Sequence, residues 1–265
     1  EEEKKYSIKR VGDHELSKVT LQKDEIKVRD ASKLPPLLLK LSEKKPYYLD
    51  YLGVSFGLTK SLHKFWKKSG YAPVYLRQTA NDLTGEHTCV MINVLDNREN
   101  KWLKLFCDDF HKRFLTLLSY NFRKFSAIES LNIIESCAVK VHDANGNLVS
   151  EEELVSTGGS GVGVFDKDEM NKQFSSFDIK RLESYANNLL DYHVILDMIP
   201  SISRLYFCSV IDKDVRLSSV QNAILLSLGL QYKNIEDISR ELGIENNQAM
   251  AIFSKIIRKV SMYFR

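Results

Sequence analysis

The chain is poor in residues that cross-link, stiffen or span. Of 265 residues only four are Cys, at 89, 107, 137 and 208, with no C-x-x-C pair. That spacing excludes a disulfide scaffold and a structural zinc site, and predicts buried free thiols in a reducing compartment. Five Pro and twelve Gly are too few for a collagen-like or linker-like chain. No apolar run approaches the ~18 residues of a membrane span. The opening EEEKKYSIKR has neither a signal-peptide apolar region nor an initiator Met. A fragment of a longer or processed chain is expected from that start. Neither sign of charge dominates: 38 basic against 35 acidic residues leave +3, so electrostatic function must come from local patches. What is present is 43% hydrophobic and 10% aromatic residues, enough to bury a core and exclude wholesale disorder.

Periodicity divides the chain near residue 100. Residues 1–33 read as mostly extended or irregular, and Pro35–Pro36 can open a short apolar element. YLDYLGVSFGL (48–58) reads as a buried strand. Thr59 then caps a helix ending at Gly70, with Leu62, Phe65 and Trp66 as its apolar stripe and lysines as its wet face. Strands at 72–79 and 88–95 follow around the turn region NDLTGEH. Beyond Lys101, Trp102, Phe106, Phe110 and Phe114 recur at helical spacing, and SAIESLNIIESC (126–137) is a further helix. Residues 138–168 read as a flexible, Gly-rich loop. FDIKRLESYANNLLDYHVILDMIP (177–200) reads as one long helix interrupted at Pro200. A capping box at Ser218 and Gln221 opens a helix closed by Gly229, and Asn234 and Gly243 bracket another. NNQAMAIFSKIIRKVSMYFR is the last helix. The fold class is α/β followed by all-α.

Four patterns bear on chemistry. Gly158 and Gly163 have the outer spacing of a phosphate-binding loop, but Val164 and Phe165 stand where Lys and Ser or Thr are required. Loop flexibility is the reading kept. His87 and Cys89 fall on one face of a strand, yet i, i+2 neighbours lie too far apart for a thiolate–imidazole pair. Basic residues gather at Lys112, Arg113, Arg123 and Lys124, at Lys180 and Arg181, and at Lys255, Arg258, Lys259 and Arg265. They suit a phosphate backbone, and equally suit the negative ends of helix dipoles. Finally, IEDISREL–GIEN–NQAMAIFSKIIRK has the outline of a helix-turn-helix, with Asn246, Asn247 and Gln248 leading the second helix. A packed helical hairpin is the plainer reading.

LPPLLLKLSE, LDYLGVSFGLT, FWK, PVYLRQTANDLTGEH and FDIKRLESYANNLLDYHVILDMIP closely resemble the eukaryotic RNA cytidine acetyltransferase family. The resemblance covers nearly the whole chain. Ala80 stands where the family usually has Pro. It implies that residues 1–96 are the C-terminal part of a GNAT-type N-acetyltransferase domain, with 48–96 the second half of its sheet. Residues 101–265 would be a helical tRNA- and RNA-binding domain. The family transfers acetyl from acetyl-CoA to the exocyclic amine of cytidine in tRNA and 18S rRNA, using ATP with Mg in a helicase-like module. That module and the Gly-rich acetyl-CoA loop would lie before Glu1, so the chain alone is expected to be inactive.

The resemblance assigns one role, and the basic patches and the chain's own titratable residues suggest the others. It carries Arg77 in YLRQT to acetyl-CoA, where a guanidinium can hold a phosphate. Arg113, Arg123, Lys124, Lys255, Arg258 and Lys259 are the expected RNA contacts, and no metal site is expected. His63, Tyr71, Glu86 and His87 are the residues available for proton transfer. The implied partners are tRNA and the small-subunit rRNA precursor, with room for an adaptor protein or guide RNA and a homodimer, and no membrane. The implied compartment is the nucleolus, within the nucleus. A non-catalytic helical RNA-binding or ribosome-assembly scaffold is the alternative.

Overall fold

The computed structural model describes residues 13–18, 49–95, 99–150, 172–211 and 215–264. The chain separates into two compact units, Glu1–Tyr48 and Leu49–Arg265. Of the first, the described part is a single helical turn, α1 (Asp13–Leu16). The expected apolar element after Pro35–Pro36 and the glycine cluster at 158–163 lie outside the described residues.

The second unit opens with a three-stranded antiparallel sheet in the order β1-β3-β2, from β1 (Tyr51–Gly57), β2 (Ala72–Leu76) and β3 (Thr88–Val94). β3 is central and carries buried Cys89 and Met91. The strand expected to be buried, β1, lies at an edge, with Tyr51 54% and Leu52 39% exposed. It has β3 on one side and no second strand among the described residues. Pro73 sits in the other edge strand, at a register shift, where its missing N–H breaks no central ladder.

Helix α2 (Lys60–Lys68) connects β1 to β2. Thr59 caps it, its Oγ1 accepting from the Leu62 N–H at 3.3 Å, and Gly70 turns the chain at φ +84°. Its expected stripe is only partly realised. Leu62 and Phe65 face outward, Trp66 packs on Phe56 and Tyr71, and the buried side chain is His63. α3 (Lys101–Leu117) shows a related departure: its buried face runs Leu103, Cys107, Phe110 and Phe114, leaving Trp102 and Phe106 exposed. Strict i+4 steps drift by about 40° around a helix each time, so a 102–106–110–114 row cannot all face one core. Phe110, Phe114, Phe122 and Phe125 form an aromatic chain with centroids 5.0–5.8 Å apart, running on into the turn before α4 (Ala127–Ser136).

The first part of the expected loop, 138–150, is a closed hairpin. His142 bridges Leu148, and Asp143 accepts from the N–H groups of Asn145 and Asn147 around Gly146 at φ +81°. Those bonds hold the Asp143 carboxyl below its ordinary range. The remainder of that loop, from 151, lies outside the described residues.

The segment expected to be one helix over 177–200 is three pieces: α5 (Ser176–Ala186), a 3-10 turn (Tyr192–Ile195), and α6 (Ile199–Phe207). Asn187 and Asn188 end α5, Asn188 in the left-handed region at φ 60°. The Asp191 carboxylate then accepts from the His193 N–H at 3.0 Å and starts the turn. Pro200 does not kink a helix; it occupies the first turn of α6, where no N–H is needed. Local side-chain bonds from Asn and Asp outcompete the helix, although the apolar pattern runs on.

α7 (Ser219–Gly229) begins with the expected Ser218–Gln221 capping box. Gly229 does not act as its stop. It is the last helical residue, and a Cβ there would lie 1.9 Å from Ser203 Oγ and 2.9 Å from the Ile199 carbonyl on α6. α6 and α7 therefore cross at contact distance. α8 (Ile235–Leu242) has Asn234 as cap and Gly243 at φ +67° as stop. α9 (Asn246–Tyr263) buries Ala249, Phe253, Ile256, Ile257 and Val260 against this core, completing a packed helical hairpin with α8.

Candidate functional site

The β2–β3 hairpin end holds the first group of candidate residues. The Arg77 N–H donates to the Thr88 carbonyl at 2.8 Å, and its Nε donates to Thr79 Oγ1 at 3.0 Å. Arg77 is exposed and makes no ion pair with a described carboxylate. The Arg77 carbonyl accepts from His87 Nδ1 at 2.8 Å. A carbonyl can only accept, so Nδ1 carries the proton and Nε2 of the neutral ring keeps its lone pair. The ring is held edge-on by Phe122 and Phe125, at 5.3 and 5.2 Å. Asn81 Oδ1 accepts from Leu83 and Thr84 N–H groups, folding the turn as its residue type requires. The Glu86 carboxylate lies over Gly57, where a Cβ would meet it at 2.2 Å. Gln78 accepts from Asn121 Nδ2 at 2.9 Å and ties the hairpin to the segment after α3.

His87 and Cys89 form no nucleophilic pair. Cys89 is buried, and burial pushes its thiol up to about 12. Cys107, likewise buried, reaches about 12, and burial raises Cys137 and Cys208 as well. These are unreactive thiols. Among the described residues no cluster of three His, Cys, Asp or Glu could hold a metal, and no helix is long and apolar enough to cross a membrane.

The six expected RNA contacts are dispersed. Arg113, on α3, is exposed with only Asp109 nearby, at 4.0 Å. Lys124 and Lys255 are exposed and have no partner among the described residues. The other three hold the helices together. Arg123 Nη2 donates to the Tyr232 carbonyl at 2.7 Å. Arg258 donates to the Ala186 carbonyl at 3.0 Å and to Asn188 Oδ1 at 3.2 Å, satisfying the end of α5. Lys259 donates to the Arg216 carbonyl at 2.6 Å and to Gln221 Oε1 at 3.2 Å, at the start of α7. The residues leading α9 line an open groove with Ser239 and Arg240, but Glu236 and Glu245 lie there too, two carboxylates to one guanidinium. That balance repels phosphate.

A second cleft, of roughly 530 Å³, lies between α2 and α4; of its lining only His63 was among the candidate residues named from the sequence. Lys60, Lys64, Lys67 and Lys68 line it from α2, and Glu129, Asn132 and Ile133 from α4. Lys67 pairs with Glu135 at 3.1 Å. Lys60, Lys64 and Lys68 have no partner among the described residues. His63 and Leu58 complete the lining, both buried. Ser136 Oγ donates to the Ile133 carbonyl at 2.7 Å, so His63 Nε2, 3.1 Å from that oxygen, is the donor between them. Burial first, and Lys67 second, lower the His63 pKa below its ordinary value, keeping the ring neutral. The lysine spacing was readable in the sequence as a wet face. That the face borders a cleft depends on α4, more than sixty residues later.

Two family models match the chain: "GNAT acetyltransferase 2" over residues 1–96 and "Possible tRNA binding domain" over residues 102–265. The chain is 57% identical, over 99% of its length, to the RNA cytidine acetyltransferase of Saccharomyces cerevisiae. It is 49% identical over 97% of its length to that of Schizosaccharomyces pombe, and 46% over 87% to that of Homo sapiens. It spans 24%, 23% and 21% of those relatives, so about a quarter of the length of the proteins it matches. The tRNA-binding model alone covers more than half of the chain, and with relatives of this identity along nearly its whole length the chain belongs to the RNA cytidine acetyltransferase family, through a possible tRNA binding domain preceded by a GNAT acetyltransferase 2 segment.

Proposed function

We propose that this chain is part of an enzyme that transfers acetyl from acetyl-CoA to the exocyclic amine of cytidine in RNA. The names of its relatives and the two matched segments support that reading. One structural observation carries it into this chain: an exposed Arg77 without a carboxylate partner, adjoining a His87 whose tautomer leaves Nε2 as acceptor. Arg77 would hold a phosphate of acetyl-CoA, which when bound supplies the acyl group. An aromatic amine is a weak nucleophile because its lone pair is delocalised into the ring. Transfer therefore needs close positioning and removal of the amine proton. His87 is the candidate acceptor for that proton. Of the other three residues considered for proton transfer, His63 is buried beneath the α2–α4 cleft, Tyr71 packs on Trp66, and the Glu86 carboxylate lies over Gly57.

The substrates in this reading are tRNA and the small-subunit rRNA precursor, and the place of action is the nucleolus. ATP and Mg would act in another part of the whole protein. An adaptor protein or guide RNA would select the site, and a homodimer is compatible with the same reading. The RNA side rests on the tRNA-binding match, with Arg113, Lys124 and Lys255 as those of the six expected contacts left uncompensated or nearly so. In the full-length enzyme, Arg77→Ala should raise KM for acetyl-CoA about tenfold or more while leaving the melting temperature and RNA affinity unchanged. Losing a charge-assisted bond to a phosphate costs roughly 1.5–3 kcal/mol, which is a factor of that size. An unchanged KM for acetyl-CoA would remove Arg77 from the cofactor site.

A further inference from the structure

We propose that the cleft between α2 and α4 binds the phosphate backbone of RNA, seating the strand between the acetyltransferase-like and RNA-binding parts of the chain. The proposal rests on the RNA-directed reading above and gives it a location.

Positions 60, 64, 67 and 68 are i, i+4, i+7 and i+8, one face of a helix, and all four side chains line the cleft. Eight residues at 1.5 Å each carry that row about 12 Å along the axis, long enough to meet more than one phosphate. Lys67 is neutralised by Glu135. Lys60, Lys64 and Lys68 then face a single lining carboxylate, Glu129, so the cleft keeps an excess of two positive charges. Walls of low polarity concentrate such a field. Leu58 and Ile133 supply those walls.

The floor is built to stay neutral. His63 is held by Ser136, which is itself tied to the α4 backbone, so the ring neither rotates freely nor contributes charge. Across the cleft, the exposed Asn132 amide offers two donors and one acceptor to a sugar hydroxyl or base edge. Cationic rim, apolar floor and one amide suit a nucleotide unit better than an acidic side chain, which would leave the floor uncovered. The two walls also come from different matched segments, α2 from the one described as a GNAT acetyltransferase and α4 from the one described as a possible tRNA binding domain. A strand held here lies against both.

The test compares full-length proteins carrying Lys60→Gln/Lys64→Gln/Lys68→Gln, the same three positions as Arg, and Lys124→Gln/Lys255→Gln. Binding of a fluorescein-labelled tRNA transcript is titrated from about 50 to 200 mM salt, with coenzyme A binding measured in parallel. The Gln triple variant should bind tRNA at least tenfold more weakly, with a log–log salt slope smaller by about 2, three contacts at ~0.7 each. Its melting temperature and coenzyme A affinity should be unchanged, and the Arg triple variant should keep the wild-type slope. Glu129→Gln should tighten binding about twofold or more, the opposite sign at the same rim. If the Gln triple variant keeps wild-type affinity and slope while Lys124→Gln/Lys255→Gln loses them, the cleft is overturned and RNA binding stands elsewhere. Loss of coenzyme A binding alone also overturns it, making the cofactor the source of the phosphate. If the wild-type protein binds no tRNA even at low salt, the cleft and the RNA reading fall together.

Discussion

Two regions of this molecule carry clusters of positive charge and use them in opposite ways. In the helical body, several cationic side chains are turned back on the protein, although Lys124 and Lys255 stay exposed and without a partner among the described residues. Arg258 closes the end of α5, Lys259 braces the start of α7, and Arg123 holds the Tyr232 carbonyl. Lys233, largely buried, pairs with Glu241 and donates to the Phe125 carbonyl. Along α2 the lysines point to open space, and three of the four have no partner among the described residues. A basic row in the sequence therefore has two physical outcomes. Where helices meet, backbone carbonyls at a helix end or in the connecting segments accept from the cations. Where a helix borders a cleft, the charge stays available to a ligand.

The sharpest way to break the helical body leaves every charge in place. Gly229→Val should destabilise the chain by about 3 kcal/mol, at the top of the range for overpacking, because the added Cβ enters the space of Ser203 Oγ and the Ile199 carbonyl. The measurement is the denaturant midpoint. A loss below 1 kcal/mol would show that α6 and α7 can separate at no great cost, contrary to their close approach.

A smaller effect tests the structural cations directly. Arg258→Ala should lower stability by about 1 kcal/mol, a figure reduced from the usual range for charged hydrogen bonds because the side chain is exposed. Its tRNA affinity should stay within twofold of wild type. If affinity falls tenfold while the unfolding midpoint stays fixed, Arg258 belongs to the RNA surface and the contrast between the two regions fails at that position.

The comparison also accounts for what could be read in advance. Caps were legible because each acts within three or four residues: Thr59, Ser218 with Gln221, Asn234 and Gly243 all do what their neighbours predict. The strand–helix–strand order around α2 was legible for the same reason. What escaped depends on distant partners. Gly229 looked like a stop, since a terminal glycine and a crossing-point glycine are the same residue until Ser203 is placed opposite. The break after Ala186 was hidden by an apolar stripe that continues past Asn187 and Asn188. His63 was named only as a residue available for proton transfer, and its place as a buried floor depends on Ser136, seventy-three residues later. Arg77 and His87 were both singled out in the sequence, yet their link through the Arg77 carbonyl needed the hairpin register.

The smallest expected effect concerns that floor and separates the α2–α4 cleft from an ordinary wet surface. His63 has an ordinary value near 6.5, and burial, helped by Lys67, lowers it in the folded chain. The unfolded chain therefore takes up a proton near pH 6.5 that the folded chain resists. Stability contributed by neutral His63 is fully present above pH 6.5 and is lost as the pH falls below it. The unfolding midpoint should drop between pH 7.5 and 5.5. His111 is shifted in the same direction, again chiefly by burial and against the opposing pull of Asp108, so His63→Gln should reduce the drop without abolishing it. The charged groups that share the cleft with His63 are Lys60, Lys64, Lys67 and Lys68 on its own helix and Glu129 on α4. The substitution leaves all five of these groups in place and removes only the imidazole. A wild-type midpoint that holds or rises on acidification would mean that His63 gains a proton without penalty. The floor would then be wet and cationic, and the distinction between a built cleft and a solvated lysine face would disappear.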